Sequence, residues 1–284
     1  MKQYGKNNMK IIYDFENLKD FKQLTNIYKK YGIVCIKNFF KNDATYNAYN
    51  KDLKKIIELV YKTKNIKKTE SNKIINLRKN EESIIGGILD LGSKNNKILS
   101  GIKLKSSDKI VNVVKALLQS DLIGTMPVSD RLIMASNLKI EDKWFQGIHM
   151  DYNYVMQTKK SLTAHIGMSS SKNNGGVTFY LKSHKIKKLP LYIDKAGFHQ
   201  IEKKFFKNKI ENKYDKLEIL HDPKSIIFFD STLLHYTIKN KSKNVRITQI
   251  FRYSDLKSPE AISKNWIGVE SKKIGDNYFK PLKY

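Results

Sequence analysis

The chain changes rhythm partway along. In its first part, Phe15, Leu18, Phe21, Leu24, Ile27 and Tyr31 recur at helical spacing, and Gly32 is a natural C-terminal cap. That spacing predicts a first helix followed by a strand from Ile33 to Ile36. Asp43 can cap a second helix that buries Tyr46, Tyr49, Leu53, Ile56 and Val60, and Ser107 can cap a third through Ile110, Val114 and Leu117. Between them, Lys62 to Lys105 is rich in Lys and Asn with short apolar islands such as Ile84-Ile85-Gly86-Gly87, and the pattern assigns it no element.

From Arg131 onward, short apolar runs are separated by polar turns, at the spacing of an antiparallel sandwich or barrel. Leu162 to Met168 and Ser225 to Asp230 read as buried strands, and Leu233 to Thr237 as a further extended piece. Val245 to Tyr253 alternates, so Arg246 and Thr248 share a face. The insertion Pro190 to Lys216 carries Phe198, Phe205 and Phe206 among lysines. It reads either as an amphipathic cover over a barrel mouth or as a helix packed on the outside.

Candidate chemistry sits on these strands. In an extended segment, side chains two apart point to the same side, so His149 and Asp151 bring an imidazole and a carboxylate to one place. If His235 arrives from a neighbouring strand, two nitrogen donors and one anionic oxygen occupy a single face of a metal and leave adjacent positions open. A closed four-ligand zinc site leaves no such room. Arg246 follows His235 by eleven residues. Its guanidinium can pair bidentately with a carboxylate while the hydroxyl of Thr248 adds a hydrogen bond.

The blocks Gly147-Ile148-His149-Met150-Asp151-Tyr152, Asn173 to Lys185 (with Gly175-Gly176 and Ser183-His184-Lys185), Phe229 to His235, and Arg246 follow one another in an order and spacing that resemble the phytanoyl-CoA dioxygenase-like family of Fe(II)/2-oxoglutarate-dependent oxygenases. The likeness runs from about Phe15 to about Tyr253. It implies a mainly β fold with flanking helices, a double-stranded β-helix (jelly roll, cupin-like), and the cofactors Fe(II), 2-oxoglutarate and O2. It also implies that His149, Asp151 and His235 bind iron, that Arg246 binds the far carboxylate of 2-oxoglutarate, and that Thr237 supplies a hydroxyl to the same cosubstrate. His165 stands about where many members place a Trp beside that cosubstrate. Tyr180-Leu181-Lys182 replaces the usual Val-Pro-Gly before Ser-His. Related halogenases exchange the ligand carboxylate for a small residue, whereas this chain keeps Asp151, so the resemblance implies hydroxylation with release of succinate and CO2.

Tyr154 shares the expected face of His149 and Asp151 and is a candidate substrate contact, with Tyr152 entering the opposite layer. Arg131 either reaches the site or caps a strand. Of the remaining histidines, His184 reads as structural, and His199 and His221 as solvated. Cys35 reads as a buried small hydrophobe.

Composition bounds the rest. The 284 residues suit one large domain, here read as 1–284: a helix-rich part to about 125, a β-helix core from about 126 to 255, and an extension from 256 to 284. The formal charge of +27 invites nucleic acid as a partner. Yet only four of the 54 basic residues are Arg, the lysines are scattered beside abundant Asn and Ile as A/T-rich codons would give, and no recognition motif accompanies them. A small-molecule substrate is expected instead, anionic if lysines line the mouth. No run approaches a membrane span and Met1 to Lys10 lacks a signal-peptide core, so a cytoplasmic protein is expected. Three other readings stay open: a nucleic-acid demethylase, a metal barrel with non-oxygenase chemistry, and a non-catalytic barrel. Oligomeric state is not legible.

Overall fold

A computed structural model describes residues 11–18, 20–63, 82–92, 97–125, 130–137, 147–155, 157–169, 174–187, 189–193, 199–220 and 222–266. In chain order the elements are β1 (Ile12–Asp14), α1 (Phe21–Tyr31), β2 (Ile33–Lys37), α2 (Ala44–Thr63), α3 (Glu82–Gly92), α4 (Leu99–Lys105), α5 (Asp108–Leu118), β3 (Ile123–Thr125) and β4 (Arg131–Ala135). There follow α6 (Tyr152–Val155), β5 (Ser161–Gly167), β6 (Gly176–Tyr180), β7 (Leu191–Ile193), β8 (His199–Ile201), α7 (Lys203–Phe205), β9 (Lys216–Leu220), β10 (Ile226–Asp230), β11 (His235–Ile238), β12 (Arg246–Asp255) and α8 (Pro259–Ser263).

Apart from the two-stranded pair β7-β8, the strands form two facing sheets, as in a double-stranded β-helix. The larger has the order β1-β2-β10-β5-β12-β3 with β4 also on β12, and the smaller has the order β11-β6-β9. β5 is buried at all seven positions because both its faces are covered. On the outer face Leu162, Ala164, Ile166, Phe228 and Phe251 share a core with Leu24, Tyr49, Leu53, Val113 and Val114 of the helices. On the inner face Ile33, Cys35, Ile227 and Phe229 meet Val177, Phe179, Leu217 and Ile219 of the smaller sheet. Cys35 is thus a small hydrophobe, its thiol pushed up to about 12 by burial.

The helical expectations hold in part. Asp43 caps α2, accepting from the Tyr46 amide at 2.9 Å, and Tyr46, Tyr49 and Leu53 are buried as the spacing requires, but in the second half of the helix Ile57 and Tyr61 are buried and Ile56 and Val60 only half-buried. The run from Phe15 to Tyr31, however, is not one helix. Asp20 accepts from the amides of Lys22 and Gln23 and starts α1 there, whereas Phe15–Asn17 is a separate 3-10 turn behind β1, which pairs parallel with β2. Ser107 stands at the N-cap of α5, but its hydroxyl makes no capping bond. In the segment left unassigned, α3 and α4 form, and 64–81 and 93–96 lie outside the described residues.

The insertion after Pro190 packs on the outer face of the smaller sheet. There Ile201 and Ile210, with Phe205 and Phe206 at the edge, meet Tyr180, Leu234 and Met150. That is the outside-packing alternative, with Phe198 outside the described residues. His199 is 2% exposed inside β8, which corrects the expectation that it is solvated; its pairing with Ile193 of β7 buries it. His184 is structural, its Nε2 3.3 Å from the Lys29 carbonyl. His221 lies outside the described residues.

A buried ion pair joins the end of α4 to the start of β4. Lys105 Nζ lies 2.7 Å from Asp130 Oδ2, with side chains 8% and 0% exposed, while Asp130 Oδ1 accepts from the Arg252 amide. Removing one member strands the other charge, a change worth about 3–5 kcal/mol. Lys105→Met is therefore expected to lower the thermal midpoint by roughly 2–4 °C per kcal/mol lost, and a surface control, Lys62→Met, is expected to leave it in place.

Candidate functional site

His149 and His235 reach one another through their backbones. Each amide donates to the other's carbonyl at 3.0 Å, an isolated antiparallel bridge that extends β11 toward the loop after Gly147. The rings consequently lie 4.3 Å apart, centroid to centroid. Asp151 follows one extended residue later, in the turn that opens α6, so strand alternation ends there. The expectation that Tyr154 continues the same face fails for that reason: it sits within α6, and its side chain lies outside the described residues. Tyr152 instead donates to Glu260 Oε1 at 2.5 Å.

The three side chains converge. Their ligand-type atoms lie within 4.8 Å of one another, and all three residues are buried. His149 Nε2 and His235 Nε2 are each 3.9 Å from Asp151 Oδ1. Both rings use Nδ1 on a main-chain carbonyl, His149 on Gly147 at 2.7 Å and His235 on Leu233 at 2.9 Å. A carbonyl can only accept, so Nδ1 carries the proton and the Nε2 lone pairs are turned toward Asp151. Phe229 and Phe179 wall the His235 ring, at 4.7 and 5.8 Å between centroids, which fixes its rotamer and keeps water off that side.

Charge agrees with this geometry. Burial first, and then His235, pushes His149 down to about 3, and burial displaces His235 in the same direction, so both rings are neutral donors at physiological pH. For Asp151, burial raises the carboxyl, but Arg252 and the two imidazoles outweigh it and hold the group well below the usual carboxylate range. Two neutral nitrogens and one fixed anion fit a divalent iron and leave part of its coordination sphere open.

The cosubstrate candidates lie on the same inner face. Arg246, Thr248, Ile250 and Arg252 alternate along β12, and β5 places His165 opposite Ile250 and Thr163 opposite Arg252. Arg246 is 3% exposed, its Nη1 donating to the carbonyls of Asn174 at 3.2 Å and Ile238 at 3.0 Å. Gly175 makes this approach feasible: at φ 86° a Cβ there would fall 2.6 Å from Arg246 Nη1 and closer still to the Ile238 carbonyl. Thr237 is two residues after His235 on β11, opposite Val177. His165, 7% exposed, is pushed down to about 3 by burial and then by the nearby charge of Arg246. Arg131 does face inward, opposite Ile250, and is lowered to about 10 by burial and then by Arg252.

Sequence reasoning missed Thr163 and Arg252, both of which hold Asp151. Thr163 Oγ1 donates to Oδ2 at 2.5 Å, Arg252 Nε donates to Oδ2 at 3.3 Å, and Arg252 Nη2 lies 2.9 Å from Oδ1. The signal was available, because the alternation that pairs Arg246 with Thr248 continues to Arg252. The segment after β12 was missed too. It pins the loop behind Asp151: Glu260 accepts from the Lys159 amide at 2.7 Å, Ser258 bonds Thr158 at 2.7 Å, and the Trp266 carbonyl accepts from Gln157.

The buried imidazoles set a pH dependence for the metal-free protein. Folded, His149 and His165 stay neutral down to about 3, while unfolded they protonate near 6.5. Their contribution is complete above about 6.5 and is lost as the pH falls toward 3. Asp130 and Asp230, both pushed up to about 6 by burial, act oppositely and lose stability as the pH rises from about 4 to 6. The histidines are displaced further, so the thermal midpoint is expected to fall on acidification below 6.5. His165→Gln is expected to flatten that fall; parallel midpoint profiles for wild type and variant would contradict it.

An inward-facing His-Asp-His cluster between the two sheets of a double-stranded β-helix defines the class of 2-oxoglutarate-dependent iron oxygenases. The sequence profile of the phytanoyl-CoA dioxygenase family (PhyH) matches residues 28–248, and the chain belongs to that family. It is an Fe(II)/2-oxoglutarate-dependent dioxygenase. Among solved structures it is similar to the epimerase SnoN of nogalamycin biosynthesis, in complex with Fe3+, alpha-ketoglutarate and nogalamycin RO (TM-score 0.57, 13% identity, 93% of each chain covered). It is also similar to the alpha-ketoglutarate-dependent carbocyclase SnoK of the same biosynthesis (0.55, 12% identity, 92% of this chain and 95% of that one). A third similar structure is EctD from S. alaskensis in its apoform (0.55, 12% identity, 83% and 77%). At such identities these likenesses establish the fold. A search of curated proteins finds no significant match. Among the described residues, no helix is long and apolar enough to cross a membrane.

Proposed function

We propose that His149, Asp151 and His235 hold Fe(II), that Arg246 grips the far carboxylate of 2-oxoglutarate with Thr248, Thr237 and His165 around it, and that the enzyme hydroxylates an anionic small molecule, releasing succinate and CO2. The observation that carries this reading is the shared inner face: the three donors and the buried Arg246 guanidinium line one space between the sheets. Bound there, iron with its cosubstrate supplies the O2 activation needed to break an unactivated C–H bond. The chain's own part is to bind, orient and exclude water. Neutral imidazoles offer their Nε2 lone pairs, Arg246 fixes one end of the cosubstrate, and Phe179 and Phe229 keep the walls apolar.

Retention of a carboxylate at Asp151 supports hydroxylation, since no ligand position is vacated for a halide. An anionic substrate is supported by Arg131, a third inward-facing arginine beyond the two that the cosubstrate and Asp151 engage. Arg131 is the substrate contact in this reading, with Tyr154 a second candidate. We also read the chain as one catalytic domain, because the helices and the outer face of the large sheet share one core.

The test is substrate-stimulated succinate release from the iron-loaded enzyme, run on carboxylates, phosphonates and acyl thioesters beside neutral and cationic analogues and a methylated oligonucleotide. Stimulation by the anionic small molecules, with a hydroxylated product by mass, is expected. Coupling only to neutral or cationic compounds, or to the oligonucleotide, would overturn the substrate class.

A further inference from the structure

Asp151 differs from the two histidines in how it is held. The rings lean on main-chain carbonyls two residues before them in sequence, whereas Asp151 sits on a turn and is gripped by side chains from the large sheet. Thr163 and Arg252 are directly opposite on the paired strands β5 and β12, both facing inward. Oδ2 receives Thr163 Oγ1 at 2.5 Å and Arg252 Nε at 3.3 Å, and Oδ1, the oxygen 3.9 Å from both Nε2 atoms, has Arg252 Nη2 at 2.9 Å. The Arg252 amide is itself tied to Asp130, which pairs with Lys105.

We propose that Thr163 and Arg252 are positioning residues that lock Asp151 as a one-oxygen ligand, with Oδ2 saturated by the sheet and Oδ1 aimed at the metal. This rests on the reading of His149, Asp151 and His235 as the iron site. Its consequence is coordination number. A carboxylate free to swing would offer both oxygens and consume one of the positions that the cosubstrate and O2 require, while a locked one leaves those positions open. Ligand-orienting partners of this kind typically change metal affinity by about 10–100-fold when removed.

The test uses the full chain and Co(II), a divalent ion whose visible absorption reports coordination number, with circular dichroism as a check on folding. Thr163→Val and Arg252→Gln are expected to weaken Co(II) binding by roughly 10–100-fold and alter the absorption intensity. Thr163→Ser, which keeps the hydroxyl, is expected to match wild type in both readouts. At saturating Co(II), 2-oxoglutarate affinity is expected to fall in Thr163→Val, because the released Oδ2 competes for a position the cosubstrate needs, and to stay at the wild-type value in Thr163→Ser. Wild-type affinity and spectrum in folded Thr163→Val, or equal losses in Thr163→Ser and Thr163→Val, would overturn the proposal. Should Arg252→Gln fail to fold, the two Thr163 variants decide alone. Failure of wild type to bind Co(II), or undiminished binding in His235→Ala, would instead sink the underlying triad assignment, so the two failures are separable.

Discussion

Asp151→Asn is expected to abolish measurable iron binding, and with it 2-oxoglutarate turnover, while also destabilising the metal-free fold. Both effects have one origin. The carboxylate supplies the only anionic charge among the three converging side chains, so its loss leaves two neutral imidazoles that bind a divalent ion far more weakly. A fall on the order of 100-fold or more in affinity follows, given that partners of ligands alone account for about 10–100-fold. The same carboxylate is the ion-pair partner of buried Arg252. Neutralising it leaves a guanidinium uncompensated in the interior, at about 3–5 kcal/mol. His235→Ala separates the two effects: metal binding is lost, but no buried charge is stranded, so the metal-free midpoint drops less. Equal metal-free midpoints for Asp151→Asn and wild type would contradict the Arg252 contact, and retained iron binding would contradict the ligand set.

Arg246→Ala is expected to leave the metal site intact and to weaken 2-oxoglutarate binding by roughly 30-fold to several thousand-fold, the equivalent of about 2–5 kcal/mol for truncating one partner of a buried, hydrogen-bonded charge pair. The guanidinium is held in advance by the carbonyls of Asn174 and Ile238, so little conformational freedom is lost when a carboxylate arrives. Arg246→Lys keeps the charge but loses the fork, and is expected to restore only part of the affinity. Calorimetry on the Co(II)-loaded protein reads the cosubstrate constant, and a parallel Co(II) titration shows whether the metal site is spared. Equal loss of both affinities would mean that Arg246 acts on the fold rather than on the cosubstrate.

What the sequence made legible follows from where the determinants lie. α2 could be drawn because Asp43 and its apolar face are local, and Arg246 and Thr248 could be placed on one face because β12 alternates along its length. The meeting of His149 with His235 was legible through motif order, although the backbone bridge that brings them together is not written in either segment. Long-range pairing hid the rest. β1 is three residues long and gains its identity from a parallel partner more than twenty residues away, so the local pattern does not show it, and the apolar spacing starts the helix at Phe15, ahead of the Asp20 cap. His199 is buried through the pairing of β8 with β7, which the local sequence does not show. Tyr154 was misplaced because a turn at Asp151 interrupts the alternation that His149 begins. Arg252 fitted the alternation and was passed over because a charged side chain is placed inside only by its partner, here Asp151, 101 residues away.

Anaerobic titration of Fe(II) and then 2-oxoglutarate into the purified apoprotein, with His235→Ala and Arg246→Ala in parallel, shows whether the His-Asp-His cluster holds iron beside an Arg246-bound cosubstrate, read from the weak visible charge-transfer band of the iron-cosubstrate chelate. A saturable band is expected in wild type, none in His235→Ala, and one in Arg246→Ala that forms only at much higher cosubstrate concentration. A well-folded, iron-loaded wild-type protein that shows no band at saturating 2-oxoglutarate would contradict that arrangement.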